Sequence, residues 1–220
     1  IRRQRQMCIR DRGAVDFLMW VVTGISTGLT QGFSIQLSQY YGAKDFENLR
    51  KSLAHSYRLT AFIAAGVLIL SQSFASLVLT GLHTPSNIIG MSLLYLRIIF
   101  CGIPATAAYN MFASALRAMG NSKTPLTAMI IASVLNVSLD ILFVAGFGWG
   151  VAGAAIATVI AQSFSAVYCF LILRRIDIVH LTRADFMPAS GMNARLMKLG
   201  IPVVFQNIII GVGGLVVQYV

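Results

Sequence analysis

The chain has 220 residues, of which 57% are hydrophobic and 11% charged, and its mean hydropathy is +0.76. That balance excludes an ordinary water-soluble domain and an intrinsically disordered one. The formal charge of +10 raises nucleic acid as a partner, but the placement of the charges argues against it.

Residues 1–12 carry five arginines and no apolar core. They do not read as a signal peptide, which needs an apolar stretch after its basic start. They read as a non-native basic tail, the alternative being an authentic solvated arm. Six apolar runs follow, at 13–42, 53–82, 87–118, 125–147, 151–173 and 201–220. Each is long enough to span a bilayer, which takes about 20 apolar residues. The fold class expected is all-α, a polytopic transmembrane helical bundle.

The first run holds Gly24, Gly28 and Gly32 at spacings of four. This repeated GxxxG puts a smooth strip on one helix face and invites a close helix neighbour. Gln31, Gln36 and Gln39 make its second half polar, for interhelical hydrogen bonding or for a cavity lining. Asp16 lies at the water-facing edge. Gly42 is placed to cap the helix, and residues 46–57 read as a short amphipathic approach to the second run.

The second run is nearly free of charge and ends at a turn around Thr84-Pro85-Ser86. The third contains Arg97, read as snorkelling towards the headgroups. Pro104, next to Gly102, should bend the third helix. Asn110 lies deeper in the same run, as a cavity donor. Gly120 should cap that helix and Pro125 should sit in the first turn of the next.

The fourth run, from Leu126 to Phe147, has one charged residue, Asp140. A carboxylate at bilayer depth costs roughly 2.5–3.5 kcal/mol on insertion scales. Met129, Ser133, Asn136 and Asp140 fall on one helical face. The glycine-rich connection at 146–150 makes the fourth and fifth helices antiparallel neighbours. Counting from Gly148, Asp140 and Thr158 lie about 12 and 15 Å from the turn. Asn136 and Gln162 are expected one turn deeper. A carboxylate, an amide and a hydroxyl at mid-membrane supply hard oxygen ligands for a small cation, or a pocket for a protonated carboxyl. The competing reading is a satisfied structural polar network.

Lys and Arg cluster in alternate connections. Lys44, Arg50, Lys51 and Arg58 flank the first, and Arg117 and Lys123 the third. Arg174, Arg175, Arg183, Arg195 and Lys198 populate the segment after the fifth run. The connections near 82–87 and 146–150 carry none. This is the positive-inside pattern, not a basic nucleic-acid groove, and it assigns 43–52, 118–124 and 174–200 to the cytoplasm. Residues 193–199 read as a short interfacial helix before the sixth run opens at Gly200-Ile201-Pro202. Cys8, Cys101 and Cys169 form no CxxC, and no His/Cys cluster indicates zinc. His55, His83 and His180 read as solvated.

Gly120-Asn121-Ser122-Lys123-Thr124-Pro125-Leu126, Asn136-x-x-x-Asp140, and the run from Gly146 to Thr158 resemble the multidrug and toxic compound extrusion (MATE) family. Tyr41-Gly42-Ala43-Lys44 and Lys198-Leu199-Gly200-Ile201-Pro202 fit the same family. The resemblance implies a twelve-helix transporter of two six-helix lobes. Residues 13–173 would be first-lobe helices two to six, 174–200 the cytoplasmic interlobe linker, and 201–220 the start of the second lobe. It implies a secondary active transporter in the plasma or bacterial inner membrane, a monomer when full length. Organic, often cationic, drugs would be exported by antiport with H⁺ or Na⁺, with no cofactor and no enzymatic activity. By that resemblance Asp140 binds the coupling cation with Asn136 and Thr158, which are metal ligands only if the ion is Na⁺. The family site also uses an aspartate on helix one, which is not expected among these residues. Asn110, Met129, Ser133 and Gln162 are the candidates for the substrate cavity. The alternatives are a lipid-linked oligosaccharide flippase of the same superfamily and, more distantly, an integral-membrane enzyme. A flippase calls for several cavity-facing basic residues, whereas Arg97 is the only deep one; an enzyme calls for a second catalytic group, and no HExxH or GxSxG signature is present.

Overall fold

The computed structural model describes residues 23–81, 89–187 and 191–219. The basic tail, Asp16, His83, the turn expected at 84–86 and residues 188–190 lie outside the described residues. Helix α1 covers residues 23–42. It is followed by α2 (Phe46–Gly81), α3 (Ile89–Cys101), α4 (Ile103–Ala118) and α5 (Lys123–Asp140). A π-helical stretch, Ile141–Gly146, leads to α6 (Gly150–Arg174). Two short 3₁₀ turns, Asp177–Val179 and Arg183–Phe186, precede α7 (Met192–Tyr219).

Among the described residues, five helical stretches are long and apolar enough to cross a membrane: 46–75, 92–118, 123–146, 150–174 and 192–211. They coincide with five of the six apolar runs, and the described part of the first run is helical as well. The third run, expected to bend at Pro104, is interrupted just before it. The helix stops at Cys101 and restarts at Ile103, and Thr106 restores a hydrogen bond to the Gly102 carbonyl from its backbone N–H at 3.0 Å and its hydroxyl at 3.2 Å. Gly120 takes φ +83° and ends α4 with a bond from Asn121 N–H to the Leu116 carbonyl at 2.9 Å. The Asn121 side chain then accepts from Thr124 N–H at 3.1 Å, capping α5.

Three local expectations change. The left-handed residue that closes α1 is Lys44, at φ 57°, not Gly42. Asp45 N–H reaches back to the Tyr40 carbonyl at 3.0 Å, and this bond spans one residue beyond the glycine. Residues 46–57 are not a separate approach helix but the start of a continuous 36-residue α2. Nor do residues 193–199 form a separate interfacial helix: α7 runs unbroken from Met192 through Pro202. Its first turns are held in place because Met192, Leu196 and Gly200 are buried, Gly200 against Leu29 and Phe33 of α1.

His55 is also not solvated. It is 1% exposed, with Nδ1 2.8 Å from Asn193 Oδ1 and Nε2 3.1 Å from the Met187 carbonyl oxygen. Around it, Arg58 Nη1 donates to the Phe186 carbonyl at 3.0 Å, and Arg50 Nε lies 3.9 Å from Asp185 Oδ1. The segment between α6 and α7 is therefore clamped to the cation-rich end of α2.

The largest buried side chains concentrate at that same end. Phe33, Leu37, Leu49, Leu53, Leu116, Leu173 and Leu196 are all essentially inaccessible. Each lies near the end of its helix that joins a cationic connection. In lipid the hydrophobic effect does not drive helices together, so close packing and polar contacts must. The α1–α7 seam uses the glycine strip for this. A Cβ on Gly28 would stand 2.7 Å from Val204 Cα, and one on Gly32 would overlap the Gly200 backbone.

Candidate functional site between α5 and α6

Helices α5 and α6 pack along their length. The seam is closed by small residues on α6: Gly153, Ala157 and Ala161, spaced by four, are all buried. At the turn, Gly148 (φ 69°) and Gly150 (φ 55°) adopt left-handed conformations, which glycine enters without a Cβ penalty. Phe143, Phe147 and Trp149 gather there, with Phe143 and Trp149 stacked at 5.1 Å and Phe147 5.4 Å from Trp149. Such aromatic groups suit a membrane–water boundary.

One side-chain bond crosses the seam: Asn136 Nδ2 donates to Thr158 Oγ1 at 3.4 Å. The Thr158 hydroxyl in turn donates to the Ala154 carbonyl at 3.0 Å. Its lone pairs are thus turned towards α5. Asn136, one turn deeper than Asp140 as expected, therefore reaches the level of Thr158, where a count from Gly148 puts it about 3 Å deeper. The π-helical stretch accounts for the offset. It winds more residues into each turn than an α-helix, so counting 1.5 Å per residue places the residues before it too deep.

Asp140 is the last residue of α5, one turn after Asn136 and directly before the π stretch. It is half-buried. Its Oδ1 is closed off from solvent and, among the described residues, has no hydrogen-bond partner. A buried carboxylate oxygen without a donor costs about 1–3 kcal/mol, more if charged. A proton or a small cation removes that cost.

Thr158 and Gln162 also line a cavity of about 240 Å³ between α6, α1 and the α3–α4 pair. Thr23, Ser26, Tyr95 and Thr106 complete its polar lining. Asn110 does not face it; Asn110 Nδ2 donates to Thr27 Oγ1 at 3.2 Å and ties α4 to α1. Met129 and Ser133 stand on the exposed face of α5, outside this cavity. Gln36 is buried and bonds Tyr40 Oη at 3.2 Å and Met192 Sδ at 3.3 Å. Gln31 and Gln39 are exposed. Sequence reasoning did not pick out the cavity's hydroxyl lining or the π stretch. Nothing in Ile-Leu-Phe-Val-Ala-Gly distinguishes a π turn from an α one, and hydroxyls on separate helices share no spacing. Among the described residues, no three His, Cys, Asp or Glu side chains group as a metal site.

A family model described as MatE matches residues 13–142. The chain is 30% identical over 203 residues to the Probable multidrug resistance protein YpnP of Bacillus subtilis, covering 92% of this chain and 45% of that protein. It is 24% identical over 201 residues to the Multidrug export protein MepA of Staphylococcus saprophyticus, covering 90% and 44%. It therefore spans less than half the length of these curated relatives. Among solved structures, an inward-facing multidrug resistance MATE family transporter superposes with a TM-score of 0.85 at 22% identity, over 94% of this chain and 47% of that one. An outward-facing structure described in the same terms gives 0.81 at 23% identity, over 89% and 44%. At such identities these likenesses speak to the fold. The family match covers more than half of the chain and coincides with the helical architecture, so the chain belongs to the MatE family of multi-pass membrane transporters.

Proposed function

We propose that this chain forms most of the first lobe, the interlobe linker and the first helix of the second lobe of a cation-coupled exporter of organic, often cationic, compounds. The observation that carries this reading is the buried Oδ1 of Asp140, without a hydrogen-bond partner among the described residues, one turn from the Asn136–Thr158 bond. With H⁺ or Na⁺ bound, Asp140 is neutral and tolerates a dry, closed seam. Without it, the charged carboxylate favours a hydrated arrangement. The cation thereby shifts the balance between two states of the lobe by its differential affinity for them. Asn136 and Thr158 hold oxygen and amide groups beside the carboxylate, and Gln162 extends the polar surface into the neighbouring cavity. The curated relatives named for multidrug resistance and export support an organic substrate. Met129, Ser133 and Asn110 are the further lining candidates in the whole protein, Met129 because a thioether adapts to varied shapes.

The test is Asp140→Asn in the full-length protein, read as gradient-dependent efflux of ethidium. Gradient-driven efflux should vanish while the amount of protein in the membrane holds. Efflux that still collapses with the ion gradient in the variant would refute the coupling role.

A further inference from the structure

A second groove lies away from the α5–α6 site, between α2, α4 and α6. Its volume is about 360 Å³. On α2 it follows Tyr57, Ala61, Ala65 and Leu68, a stripe at helical spacing. The alanines form the trough, and Pro104 and Phe112 of α4 form the opposite wall. Ala61, Ala65 and Pro104 are exposed, so the trough is open to the side of the described helices. From Tyr57 to Leu68 it extends roughly 16 Å along the helix axis. Half of a bilayer's hydrocarbon core is about 15 Å, so the trough is about as long as one leaflet is thick.

At one end it adjoins a smaller, more polar cavity of about 210 Å³. Tyr57 and Phe170 wall both spaces, and Phe112 bridges them at 5.4 Å from Tyr57 and 5.2 Å from Phe170. The smaller cavity is lined by Arg174 and His180. Arg174 is the last residue of α6 and is exposed, with Arg175 following it. The nearby acid is Asp177, whose Oδ1 lies 3.8 Å from His180 Nε2. Arg58, beside Tyr57, adds a further cation at this end of α2.

We propose that this composite groove seats an anionic phospholipid of the leaflet facing the cationic connections. One acyl chain lies in the alanine trough and the phosphate sits at Arg174 and His180. The shape calls for a ligand with an apolar tail one leaflet long and an anionic head. A cationic drug is opposed by Arg174 and Arg175. Basic residues at a membrane surface attract anionic lipid.

The experiment uses the full-length protein in mild detergent, titrated with dioleoyl phosphatidylglycerol or dioleoyl phosphatidylcholine. Retained lipid is counted by native mass spectrometry. Wild type should hold one phosphatidylglycerol more tightly than phosphatidylcholine. Arg174→Gln, at an exposed position, should weaken that first lipid about tenfold, as expected for one charge-assisted contact, and erase the headgroup preference. Ala65→Trp, which fills the trough from an exposed position, should weaken both lipids alike. Equal affinity of wild type for the two lipids overturns the proposal, as does a preference unchanged in Arg174→Gln. Tight first-lipid binding that persists in Ala65→Trp overturns the trough assignment. None of these readouts depends on coupled transport.

Discussion

His55 Nδ1 lies 2.8 Å from Asn193 Oδ1, joining the second described helix to the first turn of the last. Its other nitrogen faces the Met187 carbonyl at 3.1 Å. A carbonyl only accepts, so Nε2 carries the hydrogen; a neutral ring then accepts at Nδ1, which the Asn193 amide satisfies by turning its NH2 rather than its oxygen to the ring. The ring therefore pins both ends of the connection between 187 and 193 to α2. His55→Ala removes both bonds and leaves a buried carbonyl without its donor, a cost of about 1–3 kcal/mol. The full-length variant should melt at lower temperature and be cut faster by protease near Met187–Gly191. His55→Gln, which keeps one donor, should recover part of the protection. Cleavage in His55→Ala at the wild-type rate would refute the tether.

The glycine strip on α1 makes a graded prediction. Gly32→Ala forces a methyl into the Gly200 backbone, and Gly28→Ala one into Val204. Neither obstacle is a flexible side-chain tip, so the α1–α7 seam must open. The cost is about 1–3 kcal/mol, as for other overpacked contacts. Gly24→Ala is the control, since its added carbon meets only Asn207 Cβ at 4.0 Å. Thermal denaturation of the three full-length variants should rank Gly24→Ala near wild type and the other two well below it.

The glycine spacing could be read from sequence because close helix approach leaves a periodic mark. The apolar runs and the irregularity at Pro104, expected as a bend, were legible for the same reason: each rests on local chemistry. Asp140 stood out because one charge in an apolar run is conspicuous. His55 was misread because its burial depends on Met187 and Asn193, more than a hundred residues away, and nothing beside it in sequence records them. A residue count put Asn136 about 3 Å deeper than Thr158, because a π-helical stretch changes the rise without changing the composition. The continuity of α7 through Pro202 was hidden by a residue that usually marks a helix start.

The bond from Asn136 to Thr158 offers a test finer than removal of the acid. Thr158→Val keeps the volume and deletes the hydroxyl, so Asn136 loses its cross-seam acceptor. One neutral hydrogen bond contributes about 1 kcal/mol, equivalent to roughly fivefold in an equilibrium constant. The ion concentration needed for half-maximal efflux should rise by about that factor, with the maximal rate less affected. Thr158→Ser, which retains the hydroxyl, should stay near wild type. If the serine and valine variants behave alike, the hydroxyl takes no part in cation binding.

Asp185 should set the acid sensitivity of the connection between α6 and α7. Burial pushes its carboxyl pKa up, but hydrogen bonds from the Thr182 backbone and hydroxyl, with the charges of Arg50 and Lys51, outweigh that and hold it below the usual carboxylate value. Thr182 N–H and Oγ1 both donate to Asp185 Oδ2 at 2.7 Å. A carboxyl with a lowered folded-state pKa stabilises the fold fully above its unfolded value, near 3.8, and loses that contribution as pH falls through the lower folded value. The clamp on α2 should therefore hold at pH 5 and above and loosen below about 4. Protease cutting near 187–191, using an acid-active protease across this range, should rise on acidification in wild type. Asp185→Asn cannot ionise, so it should be cut readily at every pH and show a flat profile. A variant profile as steep as wild type would place the acid sensitivity on another group.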